Sequence, residues 1–100
     1  MYEASVEKRS VAHVKASGGE AIKLKGRGLP DRLFLLDGIC LFVEFKRGPK
    51  DAFQPLQQRW LRRLRNVGFE AWVVHDFGDF TERLARLRSD VALKRSSEAT

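Results

Sequence analysis

The sequence predicts a single α/β domain in which a mixed four-stranded sheet is flanked by helices. Three observations support this prediction. A chain of 100 residues fits one domain. Helical and strand-like segments follow one another in the order α-β-β-β-α-β-α. A two-residue turn demands an antiparallel strand pair, and a helix between the third and fourth strands allows a parallel crossover.

The first half of the chain predicts one helix and three strands. Residues 3–16 contain neither Gly nor Pro, and their valines form a loose apolar stripe. Residues 20–25 alternate apolar and polar side chains, which indicates a short strand. Residues 31–36 and 39–46 are two further strands, because the Asp37 and Gly38 pair between them is typical of a hairpin turn.

The second half predicts a helix over 55–66, a strand over 70–75 and a last helix capped by Asp79. The buried stripe expected on the first of these helices consists of Leu56, Trp60, Leu61, Leu64 and Val67. We expect the folded domain to cover residues 1–93 and residues 94–100 to form a polar, disordered tail.

Composition excludes several classes of protein. Hydrophobic residues make up 43% of the chain and charged residues 32%, which excludes a wholly disordered protein. The longest apolar runs fall far short of the roughly 20 residues that span a membrane. The first ten residues lack the apolar core of a secretory signal. A single cysteine, Cys40, is expected as a small core residue, and a cytoplasmic protein is expected.

Positive charge is concentrated in one segment. Residues 46–65 carry seven basic side chains and one acid, which accounts for the whole net charge of +6. Such a patch is typical of phosphate binding, although a solvated helix face that keeps a small protein soluble has the same composition. Trp60 and Trp72 lie in apolar patterns and are expected in the core rather than as platforms for stacked bases.

Two carboxylates and a lysine are predicted to meet on the hairpin. Glu44 and Lys46 are two residues apart on one strand, so they share a face. Counting outward from the turn places Asp31 directly opposite Glu44, where Cβ atoms lie roughly 4.5–5.5 Å apart. Carboxylates this close repel each other unless a cation separates them, and Mg²⁺ suits two carboxylates. A surface Asp–Glu–Lys cluster without metal is the alternative.

These residues resemble a known family. The segments 28–32 (GLPDR), 42–46 (FVEFK) and 55–57 (PLQ) resemble the PD-(D/E)XK nucleases, and more narrowly the small stand-alone VRR-NUC domains of phages and bacteria. The resemblance covers roughly residues 5–76, and the spacing is also similar to that of archaeal Holliday-junction resolvases. It implies a restriction-endonuclease-like core and a place in the cytoplasm of a bacterium or a phage-infected host.

The resemblance also implies roles for particular residues. The catalytic set is Glu7, Asp31, Glu44, Lys46 and Gln57. Mg²⁺, for which Mn²⁺ can substitute, would be bound by Asp31, Glu44 and the backbone carbonyl of Phe45, with Glu7 as a further candidate ligand. Gln57 shares a helical stripe with Leu61 and Leu64, so it should face the sheet.

The function expected is a metal-dependent, structure-selective DNA endonuclease, specifically a homodimeric Holliday-junction resolvase. Alternatives are a monomeric flap or nicking endonuclease and a basic DNA-binding module without catalysis. Branched DNA and a second copy are the expected partners, without a membrane or an organic cofactor. Phe77 and Phe80 supply apolar surface for the dimer, unless they simply close the core of the monomer. The expected DNA-binding residues are Arg47, Lys50, Arg59, Arg62, Arg63 and Arg65.

Overall fold

A computed structural model describes residues 3–46 and 54–98 of the chain. Its elements are α1 (Glu3–Ala16), β1 (Glu20–Lys23), β2 (Arg32–Leu36), β3 (Ile39–Phe45), α2 (Pro55–Asn66), β4 (Glu70–Val74) and α3 (Phe77–Glu98). The strands lie in the order β1-β2-β3-β4, with β3 and β4 parallel and the other pairs antiparallel. The predicted fold class is confirmed.

The hairpin turn between β2 and β3 sets the register of the central strand pair. Asp37 and Gly38 both have positive φ, 52° and 75°, which is the combination that a type I′ turn requires. Leu36 consequently pairs with Ile39, as counting from the turn predicts. Because the turn has only two residues, this register determines which side chains face each other at the far end of the hairpin.

The main core lies between one face of the sheet and the helices α1 and α3. The strand residues buried on this face are Phe34, Leu36, Ile39, Leu41, Val43, Phe45, Trp72 and Val74. Val6 and Val14 of α1 and Phe80 and Leu84 of α3 pack against them. Burial of each such side chain stabilises the fold by about 1.5–3 kcal/mol. This packing holds α1 in a fixed position beside the hairpin.

The opposite face of the sheet is covered only in part, by α2, which packs mainly on β4. Leu61 is buried there, and Leu56, Trp60 and Leu64 are half-buried. Val67 is 70% exposed, so the predicted stripe is wrong at this position. Cys40 is exposed rather than buried. It alternates with core residues on β3 and therefore points to this face, where α2 does not reach it.

The start of α3 differs from the sequence prediction. Asp76 rather than Asp79 caps the helix, since the backbone N–H of Asp79 donates a 2.7 Å hydrogen bond to Asp76 Oδ1. Asp79 instead lies inside the first turn, where its carboxylate binds Arg83 Nη1 at 3.2 Å. Both residues are acidic and close to the helix start, so sequence alone does not distinguish them.

The end of α3 also differs from the prediction. The helix continues to Glu98, so residues 94–98 are helical where a disordered tail was expected; residues 99–100 lie outside the described part. No Gly or Pro interrupts this stretch. Arg88 Nε contacts Asp37 Oδ2 at 2.7 Å, which ties the second half of α3 to the hairpin turn.

Phe77 and Phe80 serve the core of the monomer. Phe80 is fully buried among core aromatic rings, and Phe77 packs against the same cluster. The apolar surface that the sequence analysis assigned to a dimer is therefore used inside the chain. Within residues 3–46 and 54–98, no helix has the length and apolar character needed to cross a bilayer.

Candidate active site

Asp31 and Glu44 face each other across the hairpin. The ladder pairs Arg32 with Val43, so one further step outward places Asp31 opposite Glu44. Asp31 Oδ2 accepts a 2.8 Å hydrogen bond from the backbone N–H of Phe45, which holds the carboxylate against β3. The predicted juxtaposition of the two acids is therefore present in the fold.

The peptide group that joins Phe45 to Lys46 adds a third oxygen at this position. Its N–H donates to the carbonyl of Val74 on β4 at 3.0 Å. In a trans peptide the C=O points away from the N–H, so the Phe45 carbonyl is directed toward the β2 side of the strand. That is the side on which Asp31 lies. Two carboxylates and one carbonyl thus lie at the same end of the hairpin.

Glu44 and Lys46 are buried charged residues, each only 4% exposed. They alternate along β3 with core residues and so lie together on the face toward α2. Lys46 Nζ is 3.4 Å from Glu44 Oε2. Buried charges of opposite sign are tolerated when hydrogen bonds satisfy them as well as mutual attraction. Gln57 provides such hydrogen bonds.

Gln57 joins the two charges from the first turn of α2. Its Oε1 accepts a 2.8 Å hydrogen bond from Lys46 Nζ, and its Nε2 donates a 3.1 Å hydrogen bond to Glu44 Oε2. The amide orientation is determined because a cation must meet the oxygen and a carboxylate must meet the nitrogen. Gln57 faces the sheet, as its position on the helical stripe predicts.

A capping box holds the Gln57 side chain in place. The backbone N–H of Gln54 donates to Gln57 Oε1 at 3.2 Å, and the Gln54 side chain caps the backbone N–H of Gln57. Gln54 was not among the predicted site residues. The sequence contains little signal for it, because the first residue of a capping box is ordinarily Ser or Thr rather than Gln.

Glu7 lies at the margin of this site, on α1. Its Oε2 accepts hydrogen bonds from Arg32 Nε at 2.6 Å and Lys23 Nζ at 3.1 Å. Burial alone would raise the pKa of Glu7, but the hydrogen bonds and charges of Arg32 and Lys23 outweigh it and lower the pKa below its ordinary 4.5. The sequence did not predict either cation as a partner of Glu7, because the contacts depend on how α1 packs beside β1 and β2.

The pKa of Asp31 is shifted in the opposite direction, upward. Burial raises the pKa of Asp31 above its ordinary value of 3.8, and the neighbouring Glu7 carboxylate raises it further, while the Phe45 N–H opposes both. A cation beside Asp31 would favour the ionised form and reverse this shift.

The donor set at the end of the hairpin fits a hard divalent cation. Two carboxylates and a peptide carbonyl are oxygen ligands of the kind that Mg²⁺ takes, with water completing its octahedron. Across residues 3–46 and 54–98, no group of three or more His, Cys, Asp and Glu side chains could hold a metal ion. The protein ligands of such an ion would be Asp31, Glu44 and the Phe45 carbonyl. Glu7 stays a further candidate, and its Oε2 is bound by Arg32 and Lys23.

The predicted DNA-binding residues fall into two groups. Arg59, Arg62, Arg63 and Arg65 are exposed on α2, as the spacing predicts. Arg65 Nε donates to the carbonyl of Ala71 at 2.9 Å, and the Arg63 guanidinium lies 4.7 Å from the centre of the Trp60 ring. Arg62 and Arg65 line a groove of about 470 Å³ beside β4. Arg47 and Lys50 lie outside the described residues.

Comparison with solved structures finds chains that are similar to this one. The chain is similar to a structure described as a "VRR_NUC domain", with a TM-score of 0.75 and 31% sequence identity. The similarity covers 83% of this chain and 94% of the other. No family model and no curated protein matches the chain. The similarity therefore extends over most of both chains.

Proposed function

The chain belongs to the VRR-NUC family of nuclease domains, and from this premise we propose that it is a metal-dependent endonuclease that hydrolyses phosphodiester bonds in branched DNA. The observation that supports the proposal is the meeting of Asp31, Glu44, Lys46 and Gln57 at one end of the β2–β3 hairpin. A binding module has no use for two facing carboxylates, because they repel phosphate unless a cation lies between them.

Asp31, Glu44 and the Phe45 carbonyl would hold Mg²⁺, or Mn²⁺ in its place. A bound ion of this kind neutralises charge on the phosphate and lowers the pKa of a water molecule. Lys46 donates hydrogen bonds to the phosphate and stabilises the negative charge that develops in the pentavalent transition state. Gln57 orients the Lys46 ammonium group, and Glu7 holds the Arg32 and Lys23 cations at the margin of the site.

The arginines of α2 provide the DNA-binding face. They are exposed, and four of them occur within two turns of the helix, which suits contact with backbone phosphates rather than with bases. Such contacts select DNA by shape. We therefore propose structure-selective cleavage, with a Holliday junction as the preferred substrate.

Resolution of a four-way junction requires two symmetric cuts, and each chain carries one acidic site. A two-fold homodimer would supply two sites related by the symmetry of the junction. Phe77 and Phe80 are used in the core, so the homodimer is supported by symmetry and by the resemblance to resolvases rather than by exposed apolar surface. Light scattering of the free protein and of its junction complex measures the mass directly. A monomer in both states would favour a flap or nicking endonuclease.

Cleavage is tested with labelled four-way junctions, flaps and forks, in Mg²⁺ and then in EDTA. We expect metal-dependent cuts by the wild type and none by Asp31→Asn. Lys46→Ala should lose cleavage but keep DNA affinity measured in EDTA, because it is placed to act on the transition state. A band shift without cuts in both Mg²⁺ and Mn²⁺ would instead identify a DNA-binding module without catalysis.

A further inference from the structure

A second cleft opens beside the candidate active site, on the side of α2 that faces the β1–β2 loop. It has a volume of about 420 Å³ and is lined by Arg27, Gly28, Gln54, Pro55, Leu56 and Gln57. Gln57 lines the cleft and is also part of the candidate active site, because its amide contacts Glu44 and Lys46. The cleft therefore adjoins the candidate active site.

The loop that bears Arg27 is held in a defined shape. Residues 26–29 form a turn in which the Leu29 N–H donates to the Gly26 carbonyl at 3.3 Å. Gly28 has φ +77°, the left-handed conformation that the third residue of a type II turn requires. Arg27 occupies the second position, at the tip. It lies four residues before Asp31 in the chain.

The turn packs directly on the start of α2. A Cβ atom at Gly28 would overlap the side chain of Leu56, so the backbone of the turn and the first helical turn are in close contact. Pro30, which follows the turn, is fully buried. The position of the Arg27 backbone relative to Gln57 is therefore set by packing on both sides, rather than by a flexible loop.

Arg27 is the one charged residue among the six that line the cleft, and its side chain is exposed. It makes no hydrogen bond or ion pair with any residue in the described ranges 3–46 and 54–98. Arg32, by contrast, is bound to Glu7 at 2.6 Å. The guanidinium of Arg27 thus has its donors available for an anion at the cleft.

The helix start supplies few donors of its own. Pro55 has no N–H, the backbone N–H of Gln57 is capped by the Gln54 side chain, and that of Gln58 donates to the Gln54 carbonyl at 3.1 Å. Arg27 is therefore the one charged group in the lining that an anion in the cleft would meet. A guanidinium binds phosphate oxygens in bidentate fashion, which suits the phosphodiester backbone of DNA.

We propose that this cleft binds a DNA backbone phosphate next to the scissile one, with Arg27 as its ligand. The proposal rests on the nuclease function proposed above and assigns the path of the cleaved strand, which runs from the Asp31–Glu44 pair toward the β1–β2 loop. Arg27 is a substrate-binding residue in this arrangement. It lies outside the basic segment 46–65 that composition alone singles out.

The first test measures DNA binding by fluorescence anisotropy in EDTA over a range of salt concentrations. We expect Arg27→Ala to bind about tenfold more weakly than the wild type, as befits one charge-assisted contact. The slope of log affinity against log salt should fall in magnitude by about 0.7–0.9. Arg27→Lys should keep the slope, because it keeps the charge, but cleave more slowly because it loses the bidentate geometry.

Arg86→Ala is the matched control. Arg86 is also exposed, with a 3.8 Å contact to Glu82, but it lies on α3, which covers the opposite face of the sheet. The DNA affinity of the Arg86→Ala protein and the salt dependence of that affinity should equal those of the wild type. Equal effects of Arg27→Ala and Arg86→Ala would show a general charge effect and overturn the Arg27 subsite. Thermal melting verifies that each variant is folded.

The second test locates the phosphate. Once the position of the cut is mapped, a series of substrates is prepared. Each substrate carries one neutral methylphosphonate, at a different phosphate no more than two phosphates from the cut. At one position next to the cut, the substitution should weaken wild-type binding about tenfold and leave Arg27→Ala unaffected. If the losses of affinity caused by Arg27→Ala and by the methylphosphonate add at every position, Arg27 does not contact any of these phosphates.

The binding assay separates this proposal from the nuclease proposal. A wild type that cleaves DNA while Arg27→Ala binds and cleaves equally well overturns only the subsite. A wild type that binds DNA but never cleaves it overturns the nuclease function. Comparison of the salt dependence of DNA binding between the wild type and Arg27→Ala then still decides whether Arg27 contacts phosphate. A wild type that neither binds nor cleaves DNA overturns both.

Discussion

Replacing Gln57 with alanine removes the amide that joins the two buried charges of the site. Gln57 makes a 2.8 Å hydrogen bond to Lys46 Nζ and a 3.1 Å hydrogen bond to Glu44 Oε2. Both partners are only 4% exposed, so water does not freely replace the lost amide. The substitution therefore tests directly whether the network stabilises the fold as well as the site.

The size of the effect follows from the contacts. A hydrogen bond to a charged group contributes about 1.5–3 kcal/mol, so the loss of two would cost about 3–6 kcal/mol. The direct contact between Lys46 Nζ and Glu44 Oε2 at 3.4 Å survives, and water can enter from the neighbouring cleft. Both effects reduce the cost, and we expect a net loss of about 2–4 kcal/mol in the free energy of unfolding.

Urea denaturation measures this loss, with Gln58→Ala as the matched control. Gln58 is the next residue on the same helix and is exposed, so its substitution should change stability by less than about 0.5 kcal/mol. DNA cleavage by Gln57→Ala should fall while affinity in EDTA is retained, because Lys46 loses its orientation. A Gln57→Ala protein as stable as the Gln58→Ala protein would refute the buried network.

Three further predictions concern stability and DNA binding. Ser10→Ala should raise the free energy of unfolding in urea by about 1 kcal/mol, because the Ser10 hydroxyl is fully buried on α1 and finds no hydrogen-bond partner within the described residues; a destabilised variant would contradict this. Glu7→Gln should destabilise the protein at pH 7. The folded-state pKa of Glu7 is lowered, so its contribution is complete above its ordinary pKa of 4.5 and lost as pH falls below it. Melting of wild type and variant should therefore converge in acid, and a gap that is independent of pH would refute the pairing with Arg32. Arg62→Ala combined with Arg63→Ala should reduce the magnitude of the salt slope of DNA binding by about 1.8, and an unchanged slope would show that this face does not touch DNA.

The half of the site that lies on the hairpin could be predicted from the sequence. Alternation along β3 places Glu44 and Lys46 on one face, and the two-residue turn brings Asp31 opposite Glu44. Both rules are local, because strand pleating has a period of two and a type I′ turn leaves no freedom in register. Gln57 was also predicted to face the sheet, from the periodicity of its helix alone.

The burial of particular residues could not be predicted in the same way. Cys40 is a small apolar residue that lies between two core residues on β3. Its side chain points to the face of the sheet that α2 covers only in part, and it is exposed there. Val67 fits an apolar stripe, but it lies at the C-cap of α2, which packs mainly on β4, and its side chain is exposed. In each case the burial of the side chain depends on how much of a sheet face one helix covers, and no local sequence pattern predicts this.

The sequence by itself thus determined the order of elements, the hairpin register and the meeting of two acids with a lysine. Only the tertiary structure decided that Gln57 hydrogen-bonds both buried charges, that Glu7 is bound by Arg32 and Lys23, and that Arg27 lies beside the start of α2. These contacts join segments 11 to about 30 residues apart in the chain. Their geometry follows from packing of helices on the sheet, to which every element contributes, whereas the hairpin is determined by neighbours in sequence.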